Sequence, residues 1–270
     1  MSPPPITPSL VTYYSNNDEH LRHQRHQLEF DVTIKYLTKL TQTNSGSLKI
    51  LEVGAGAGYY TKWLLQKGHE VTAVEPVPRL VQQLEHLKET WGTQLTVIQG
   101  DETAIYQLTA QFDRILLMGP LYHLFDKDQR KTLLIKSHQM LSKEGQVFAI
   151  FLSRIGYLSY LLKNDPGFVH NKLKEFQEML FQGYEKQPTL EGVFHGNFDK
   201  LETILDLYKQ VPAQIQFVAA LDPIIGPFDE LYNQLPEPLK QSWLEIAYHT
   251  SLWPEALGSA RTWALCSRPS

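Results

Sequence analysis

The 270-residue sequence lacks the features of several protein classes. It holds a single cysteine, Cys266, which excludes an internal disulfide framework and any metal site built from several thiolates. Acidic residues outnumber basic ones by 29 to 25, and the net charge of −4 argues against a surface built for nucleic acid. No apolar run approaches the ~18 residues of a membrane-spanning helix. We therefore expect a cytoplasmic protein with neither a nucleic-acid nor a membrane partner.

The N-terminal region divides into two parts. The first ten residues carry four prolines and no basic side chain, which indicates neither a signal peptide nor an amphipathic transit peptide. We expect residues 1–16 to form a flexible leader. Residues 17–47 place apolar side chains near one helical stripe and then become polar, which predicts an N-terminal helix followed by a loop.

From residue 48 onward, short apolar runs alternate with amphipathic helical segments. This alternation is typical of right-handed βαβ units, which build a parallel sheet covered by helices on both faces. We predict an α/β fold with a seven-stranded, mostly parallel sheet. The predicted strands are 48–53, 70–74, 95–98, 112–118, 146–152, 214–220 and 260–266, and the predicted helices between them are 59–67, 79–91, 129–141, 199–209 and 228–248.

The alternation breaks after Arg154, where helical stretches and turn signals replace the next strand. We predict a core at 48–154, a helical cap inserted at 155–198 after the fifth strand, and the remainder of the core at 199–270. Aromatic residues at helical spacing in the cap are interpreted either as core or as the lid of a substrate pocket. These residues are Tyr157, Tyr160, Phe168, Phe176, Phe181, Tyr184 and Phe194, with His170 and His195 in the same region.

The segment Glu52–Gly58 directly follows the first predicted strand and opens a helix. Glycines at such a turn let the chain reverse tightly and let a ligand approach the backbone. A dinucleotide-binding fingerprint would require a third glycine at the position of Tyr59. Glu52 would also be poorly placed beside a pyrophosphate. The spacing therefore argues against a nicotinamide cofactor.

This glycine loop resembles motif I of the class I S-adenosylmethionine-dependent methyltransferases. The resemblance covers roughly residues 10–154 and implies a Rossmann-like sheet, S-adenosyl-L-methionine as methyl donor and S-adenosyl-L-homocysteine as product. It assigns Glu75 to the two ribose hydroxyls, which a carboxylate can accept together, and Asp101 or its neighbour Glu102 to the adenine amino group. The donor-binding residues that it implies are Glu52, Gly54, Ala55, Gly56, Gly58, Glu75, Pro76, Asp101, Glu102, Met118 and Gly119.

The N-terminal helix resembles the lid that folds over the donor in this family. The resemblance implies that Tyr14 and Arg25 contact the donor, and an arginine there can pair with the donor carboxylate. An amphipathic helix with solvated charges is the alternative interpretation. His20, His23 and His26 lie three residues apart, and we interpret them as a wet helix face without a metal.

The string Gly119–Leu124, G-P-L-Y-H-L, is similar to bacterial small-molecule methyltransferases. We predict that His123 acts as general base, since histidine accepts a proton near neutral pH, and that Tyr122 lines the pocket. Methyl transfer is an in-line displacement, so a base helps only a nucleophile that carries a proton. The alternative is a structural Tyr–His pair at a helix start. Gly119 offers no side-chain acceptor, so methylation of planar amino groups is not indicated.

The predicted function is methyl transfer to an oxygen or nitrogen of a small molecule or short peptide, of the natural-product type. Carbon acceptors stay possible. A nicotinamide-dependent oxidoreductase is the first alternative, and a non-catalytic donor-binding partner subunit is the second. The sequence predicts neither the acceptor nor the oligomeric state.

Overall fold

The structure, a computed structural model, describes residues 12–14, 22–43, 46–182, 196–224 and 226–270. Most of the predicted leader lies outside the described residues. So do His20 at the predicted start of the N-terminal helix and Tyr184, Phe194 and His195 of the predicted cap. Within the described part of the chain, no helix combines the length and the apolar character that crossing a membrane requires.

The described residues form one eight-stranded sheet. The strands are β1 (Lys49–Val53), β2 (Glu70–Glu75), β3 (Leu95–Gln99), β4 (Phe112–Leu117), β5 (Leu141–Ser153), β6 (Phe198–Asp199), β7 (Ala213–Ala220) and β8 (Thr262–Pro269).

The strand order is β3-β2-β1-β4-β5-β8-β7, and β6 pairs with β5 off this path. Strands β1 to β6 run parallel to one another, whereas β8 is antiparallel to both β5 and β7. The predicted fold class, a mostly parallel Rossmann-like sheet, is confirmed. The unpredicted strand β6 pairs at only two residues and is too short to show a strand pattern in the sequence.

Helices cover both faces of the sheet, because successive strand residues point to opposite sides. In β5, Phe148 and Ile150 belong to one apolar cluster, whereas Val147, Ala149 and Phe151 belong to the other. The helices are α1 (Arg22–Arg25), α2 (Gln27–Thr41), α3 (Tyr59–Gln66), α4 (Pro78–Trp91), α5 (Pro120–His123), α6 (Lys127–Gln139), α7 (Arg154–Asn164), α8 (Pro166–Asn171), α9 (Leu173–Gln182), α10 (Leu201–Tyr208), α11 (Asp229–Gln234), α12 (Glu237–Thr250) and α13 (Pro254–Ser259).

Two predicted helices are divided in the structure. The segment predicted as one helix over 228–248 forms α11 and α12, because Pro236 disfavours helical backbone at Leu235, which is extended at φ −64° and ψ 140°. The N-terminal helix is divided at His26, whose φ of −118° and ψ of 53° are not helical.

A buried ion pair holds β6 in place. Arg130 of α6 donates two hydrogen bonds to the Asp199 carboxylate, at 2.9 and 2.6 Å. Both side chains are only 2% exposed. The backbone amide of the neighbouring Asn197 donates to the Tyr122 carbonyl at 2.5 Å. This hydrogen bond ties the start of β6 to the segment that follows β4.

The carboxyl ends of β1, β2, β3 and β4 lie at one edge of the sheet, because these strands are parallel. Ligands of open α/β sheets bind outside this edge, where the strand order reverses. The reversal falls at β1 and β4, which are neighbours in the sheet but not in the sequence. The segments that follow these two strands are the glycine loop and Met118–Leu124, so the topology places both predicted site segments together.

Candidate functional site

A cavity of about 910 Å³ opens at this edge of the sheet. Its volume lies in the upper part of the roughly 300–1,000 Å³ range of ligand pockets. The glycine loop, Glu75, the segment 100–102 and the segment 118–126 form one side, and α1, α2, α7 and α8 contribute to the other. Of the residues predicted to contact donor or acceptor, the wall includes all except Glu52 and Gly58.

The three glycines of the loop serve different purposes. Gly54, Gly56 and Gly58 have φ values of 80°, 57° and 80°, a region that favours glycine. A Cβ on Gly54 would lie 3.3 Å from Gly119 N, and a Cβ on Gly58 would lie 2.7 Å from Leu84 Cδ2. A Cβ on Gly56 would meet nothing within 4 Å. Gly54 and Gly58 therefore permit close packing, and Gly56 leaves open space on the cavity side.

Glu75 ends β2 and is 4% exposed. Its Oε2 accepts a hydrogen bond from the Gly56 amide at 2.8 Å, and its Oε1 accepts one from the Val77 amide at 3.0 Å. Glu75 also lines the cavity. Glu75 thus tethers the loop and still presents a carboxylate to the cavity.

Glu52 lies behind the loop and does not line the cavity. It therefore makes no direct contact with the space in which it was predicted to bind the donor. It is fully buried, and its Oε2 accepts a hydrogen bond from the Thr61 hydroxyl at 2.5 Å. Its Oε1 has no hydrogen-bond partner among the described residues. Burial, with the charge of Glu75 adding to it, raises the pKa of Glu52 to about 8. Glu52 is therefore a neutral acid at pH 7.

We expect Glu52→Gln to remove a pH dependence of stability. Because folding raises the pKa of Glu52, its carboxyl group stabilises the folded protein fully below about pH 4.5. This contribution is lost as the pH rises toward 8. The free energy of unfolding of wild type should therefore fall relative to the variant, by up to about 1.4 kcal/mol per pH unit. Urea unfolding of both proteins at pH 5, 6.5 and 8 measures the difference. A difference that does not change with pH would contradict a protonated Glu52.

Asp101 and Glu102 both lie on the cavity wall. Asp101 Oδ1 accepts hydrogen bonds from the Thr103 amide at 2.9 Å and from the Thr103 hydroxyl, which caps the short 3₁₀ helix Glu102–Gln107. Burial, with the charge of Asp101 adding to it, raises the pKa of Glu102 to about 7. The two acids therefore differ: Asp101 is fixed by its capping contacts, and Glu102 is half-protonated near neutral pH.

Tyr14 of the predicted lid reaches the predicted base. Its hydroxyl lies 2.9 Å from His123 Nε2, in a hydrogen bond. The Tyr14 carbonyl accepts a hydrogen bond from Arg79 Nη2 at 3.1 Å, which ties residues 12–14 to α4. The His123 ring also packs on Tyr122, with centroids 4.6 Å apart. The pairing of Tyr14 with His123 was not predicted, because the two residues are 109 positions apart.

Aromatic side chains form the wall on the cap side. Tyr157 of α7 stacks on Phe198 of β6 with centroids 3.9 Å apart, and both line the cavity together with Tyr160 and Phe168. Phe181, in contrast, is 76% exposed. These rings pack on one another, as the core interpretation expects. They also face the cavity, as the pocket-lid interpretation expects.

An ionic network that the sequence did not predict lies beneath α1 and α2. Arg22 donates to Glu29 at 2.9 Å rather than pointing freely at the cavity. Arg261 Nε lies 3.2 Å from Asp222 Oδ2, and its two terminal nitrogens donate to Asp229 Oδ2 at 3.3 Å. Burial raises the pKa of Asp222 to about 6, so this carboxylate is still charged at neutral pH.

The two described histidines of the N-terminal helix contact different partners. His23 lies on the Tyr59 ring with centroids 3.8 Å apart, and His26 Nδ1 lies 2.8 Å from Asp229 Oδ2. In the part of the chain that the structure describes, no group of three or more His, Cys, Asp or Glu side chains is arranged to hold a metal ion.

Comparison with known proteins finds similarity to methyltransferases in the central part of the chain. Residues 50–145 match a family model described as a methyltransferase domain. Over 63 residues the chain is 46% identical to ribosomal RNA small subunit methyltransferase A of Novosphingobium aromaticivorans, which covers 22% of this chain and 23% of that protein. The chain spans less than half the length of several curated relatives that it matches.

Solved structures with the same fold align over nearly the whole chain. One is the 1,6-didemethyltoxoflavin-N1-methyltransferase of Burkholderia thailandensis, with a TM-score of 0.57, 15% identity and coverage of 100% of this chain and 93% of that one. Another is the N-methyltransferase NodS of Bradyrhizobium japonicum WM9, with a TM-score of 0.57, 14% identity and 98% coverage of both chains. Residues 50–145 therefore resemble a methyltransferase domain, and the whole chain shares the Rossmann-like fold of these solved methyltransferases.

Proposed function

We propose that this chain, whose residues 50–145 resemble a methyltransferase domain, is an S-adenosylmethionine-dependent enzyme that methylates an oxygen or nitrogen of a small molecule or short peptide. The observation that carries the proposal is Glu75, which fixes the glycine loop at Gly56 and presents its carboxylate to a cavity large enough for a donor and an acceptor together. S-adenosylhomocysteine is the product of this reaction. We place the reaction in the cytoplasm, since one buried cysteine makes no use of an oxidising compartment.

The donor side of the cavity fits S-adenosylmethionine. The ribose hydroxyls would bind Glu75, and the adenine would lie against Asp101 or Glu102. The open space beside Gly56 admits the amino-acid end of the donor, whose carboxylate Arg25 can pair with. Ala55, Pro76, Met118 and Gly119 would complete the wall, while Glu52 and Gly58 support the loop from outside the cavity.

When bound, the donor supplies an electrophilic methyl group on a sulfonium. The protein's own task is to align the acceptor, exclude water and remove the proton that the acceptor loses. The hydrogen bond between Tyr14 and His123 provides a path for that proton. The acceptor proton passes to the Tyr14 oxygen while the Tyr14 proton passes to His123 Nε2. This leaves Tyr14 neutral and His123 protonated, so Tyr14 takes part in proton transfer beside its predicted donor contact.

The acceptor side is lined by rings on Tyr122, Tyr157, Tyr160, Phe168 and Phe198. Such walls bury flat or apolar parts of a ligand, and aromatic contacts add directionality. This composition supports a small-molecule or short-peptide acceptor. We assign the choice of acceptor to the cap at 155–198, since α7 and α8 supply three of these five rings and Phe198 is its last residue.

A thermal-shift comparison of S-adenosylhomocysteine, S-adenosylmethionine and NADH tests the donor. A ligand present at about 100 times its Kd stabilises by roughly 2.7 kcal/mol, which raises the Tm of a chain of this size by a few degrees. We expect a shift with both adenosyl compounds and none with NADH. A shift with NADH alone would instead identify a nicotinamide-dependent oxidoreductase. Donor binding without turnover across an acceptor library would identify a non-catalytic partner subunit.

A further inference from the structure

A second cavity of about 390 Å³ adjoins the first. Its volume is within the range of ligand pockets. It lies between α1, α7 and α11, beside the ionic network around Arg261. The residues that line both cavities are Arg25, His26, Tyr160, Asn164 and Arg261, so the two cavities share part of their walls.

Oxygen atoms on the wall of the second cavity have no donor. Asp222 Oδ2, Asp229 Oδ1 and Asn233 Oδ1 are buried and accept no hydrogen bond from the described residues. Asp222 and Asp229 are only 1% and 5% exposed. The Asn233 amide nitrogen donates to the carbonyls of Gln24 and Arg25, at 2.7 and 3.2 Å, so that its oxygen is left as the acceptor. Buried acceptors are rarely left without donors, which points to a ligand that carries N–H or O–H groups.

The charges of the buried network do not balance. Three carboxylates, on Glu29, Asp222 and Asp229, surround two guanidinium groups, on Arg22 and Arg261. His26 contacts the same network, but burial lowers its pKa below 6.5, so its imidazole is neutral at pH 7. Within this ion-paired cluster, carboxylates therefore outnumber guanidinium groups by one, and the cavity wall also carries the cations Arg25 and Lys163 and the carboxylate Glu230.

Gly226 leaves the carboxylate of Asp222 uncrowded. A Cβ at this position would lie 3.0 Å from Asp222 Oδ2 and 3.2 Å from Asp222 Cγ, so any other residue would crowd that carboxylate. Asp222 Oδ2 lies 3.2 Å from Arg261 Nε, but accepts no hydrogen bond from it. Asp222 Oδ2 is thus a buried acceptor without a donor among the described residues, beside a position where only glycine leaves room.

We propose that the second cavity binds a primary ammonium group, whose N–H donors meet the oxygens of Asp222, Asp229 and Asn233. Its positive charge offsets the excess carboxylate of the ion-paired cluster. The ammonium belongs either to the acceptor in the first cavity, in which case the inference rests on the proposed function, or to a separate small amine. Both sources share the same recognition chemistry.

Calorimetric titration of the full chain with n-butylammonium, with n-butanol as the neutral control, tests the site. We expect the ammonium to bind and the alcohol not to bind. Asp229→Asn should weaken ammonium binding about tenfold or more, because it removes a charged acceptor. Asp206→Asn is the matched control: it makes the same change at an exposed carboxylate of α10 that does not line the cavity, and it should change the affinity by less than about twofold. Equal losses in the two variants would overturn the proposal.

Gly226→Ala keeps every charge and fills the space beside Asp222 Oδ2, and we expect it to weaken ammonium binding as well. It carries the test if Asp229→Asn fails to fold, which the unfolding midpoint of each variant shows. Wild-type ammonium affinity in Gly226→Ala would overturn the assignment of Asp222.

Two further titrations separate the possibilities. If the ammonium is part of the acceptor, 2-phenylethylammonium should bind more tightly than n-butylammonium, because its ring can pass Tyr160 into the aromatic cavity; equal affinities support a separate amine. S-adenosylhomocysteine is titrated into the same samples. Binding of S-adenosylhomocysteine without ammonium overturns this inference alone, and binding of ammonium without S-adenosylhomocysteine overturns the proposed function alone.

Discussion

Glu75→Ala is expected to weaken the binding of S-adenosylhomocysteine by a factor of about 100 or more. Hydrogen bonds to a charged group contribute roughly 1.5–3 kcal/mol each, and the variant removes the proposed carboxylate acceptor of both ribose hydroxyls. It also removes the partner of the Gly56 and Val77 amides, so the loop loses its tether to β2. Isothermal titration of S-adenosylhomocysteine into wild type and variant measures the loss.

Glu70→Ala is the control for this prediction, because Glu70 is an exposed carboxylate at the other end of the same strand. We expect wild-type affinity in that variant. Glu75→Gln keeps the size of the side chain and an acceptor oxygen, so its affinity should lie between those of wild type and Glu75→Ala. Wild-type affinity in Glu75→Ala would contradict the ribose assignment.

The fold could be predicted because its signals are local. Strands β1 and β2 are mostly buried runs of five and six residues, and each is followed by a helix that buries one apolar face. The predicted strand 70–74 differs from β2 by one residue. The break at Leu235 was also local, and Pro236 could have predicted it from the sequence.

The parts of the site that were missed depend on contacts between distant residues. His26 meets Asp229, 203 positions away, and Tyr14 meets His123. Neither contact produces a periodic pattern, because each joins single side chains of different elements. The position of Asp199 in the short strand β6 could not be predicted either, because it depends on the contact with Arg130, 69 positions away.

Glu52 shows why sequence position alone did not settle a residue's contacts. It precedes Gly54 by two residues, but side chains alternate across a strand, and the side chain of Glu52 is buried against Thr61 of α3. The neighbouring loop reaches the cavity only because its glycines turn the backbone at Gly54 and Gly56. Burial at this position keeps the acid protonated, which no composition or spacing argument could show.

His123→Ala is expected to lower turnover by a factor of about 100 or more while S-adenosylhomocysteine affinity stays within about twofold of wild type. General base catalysis contributes about 10²–10⁴-fold, and the variant removes the proposed final proton acceptor but no proposed donor contact. Formation of S-adenosylhomocysteine with an acceptor identified by screening measures turnover, and titration measures affinity.

Tyr14→Phe separates the proton path from packing, because it keeps the ring against His123 and removes only the hydroxyl. If the acceptor proton passes through Tyr14, turnover should fall by about tenfold or more in this variant as well, and the double variant should be little worse than His123→Ala, since the two residues act as a unit. His86→Ala is the control, since His86 is an exposed histidine of α4 away from the cavity, and it should leave turnover unchanged. Wild-type turnover in His123→Ala would show instead that His123 and Tyr122 form a structural pair around α5.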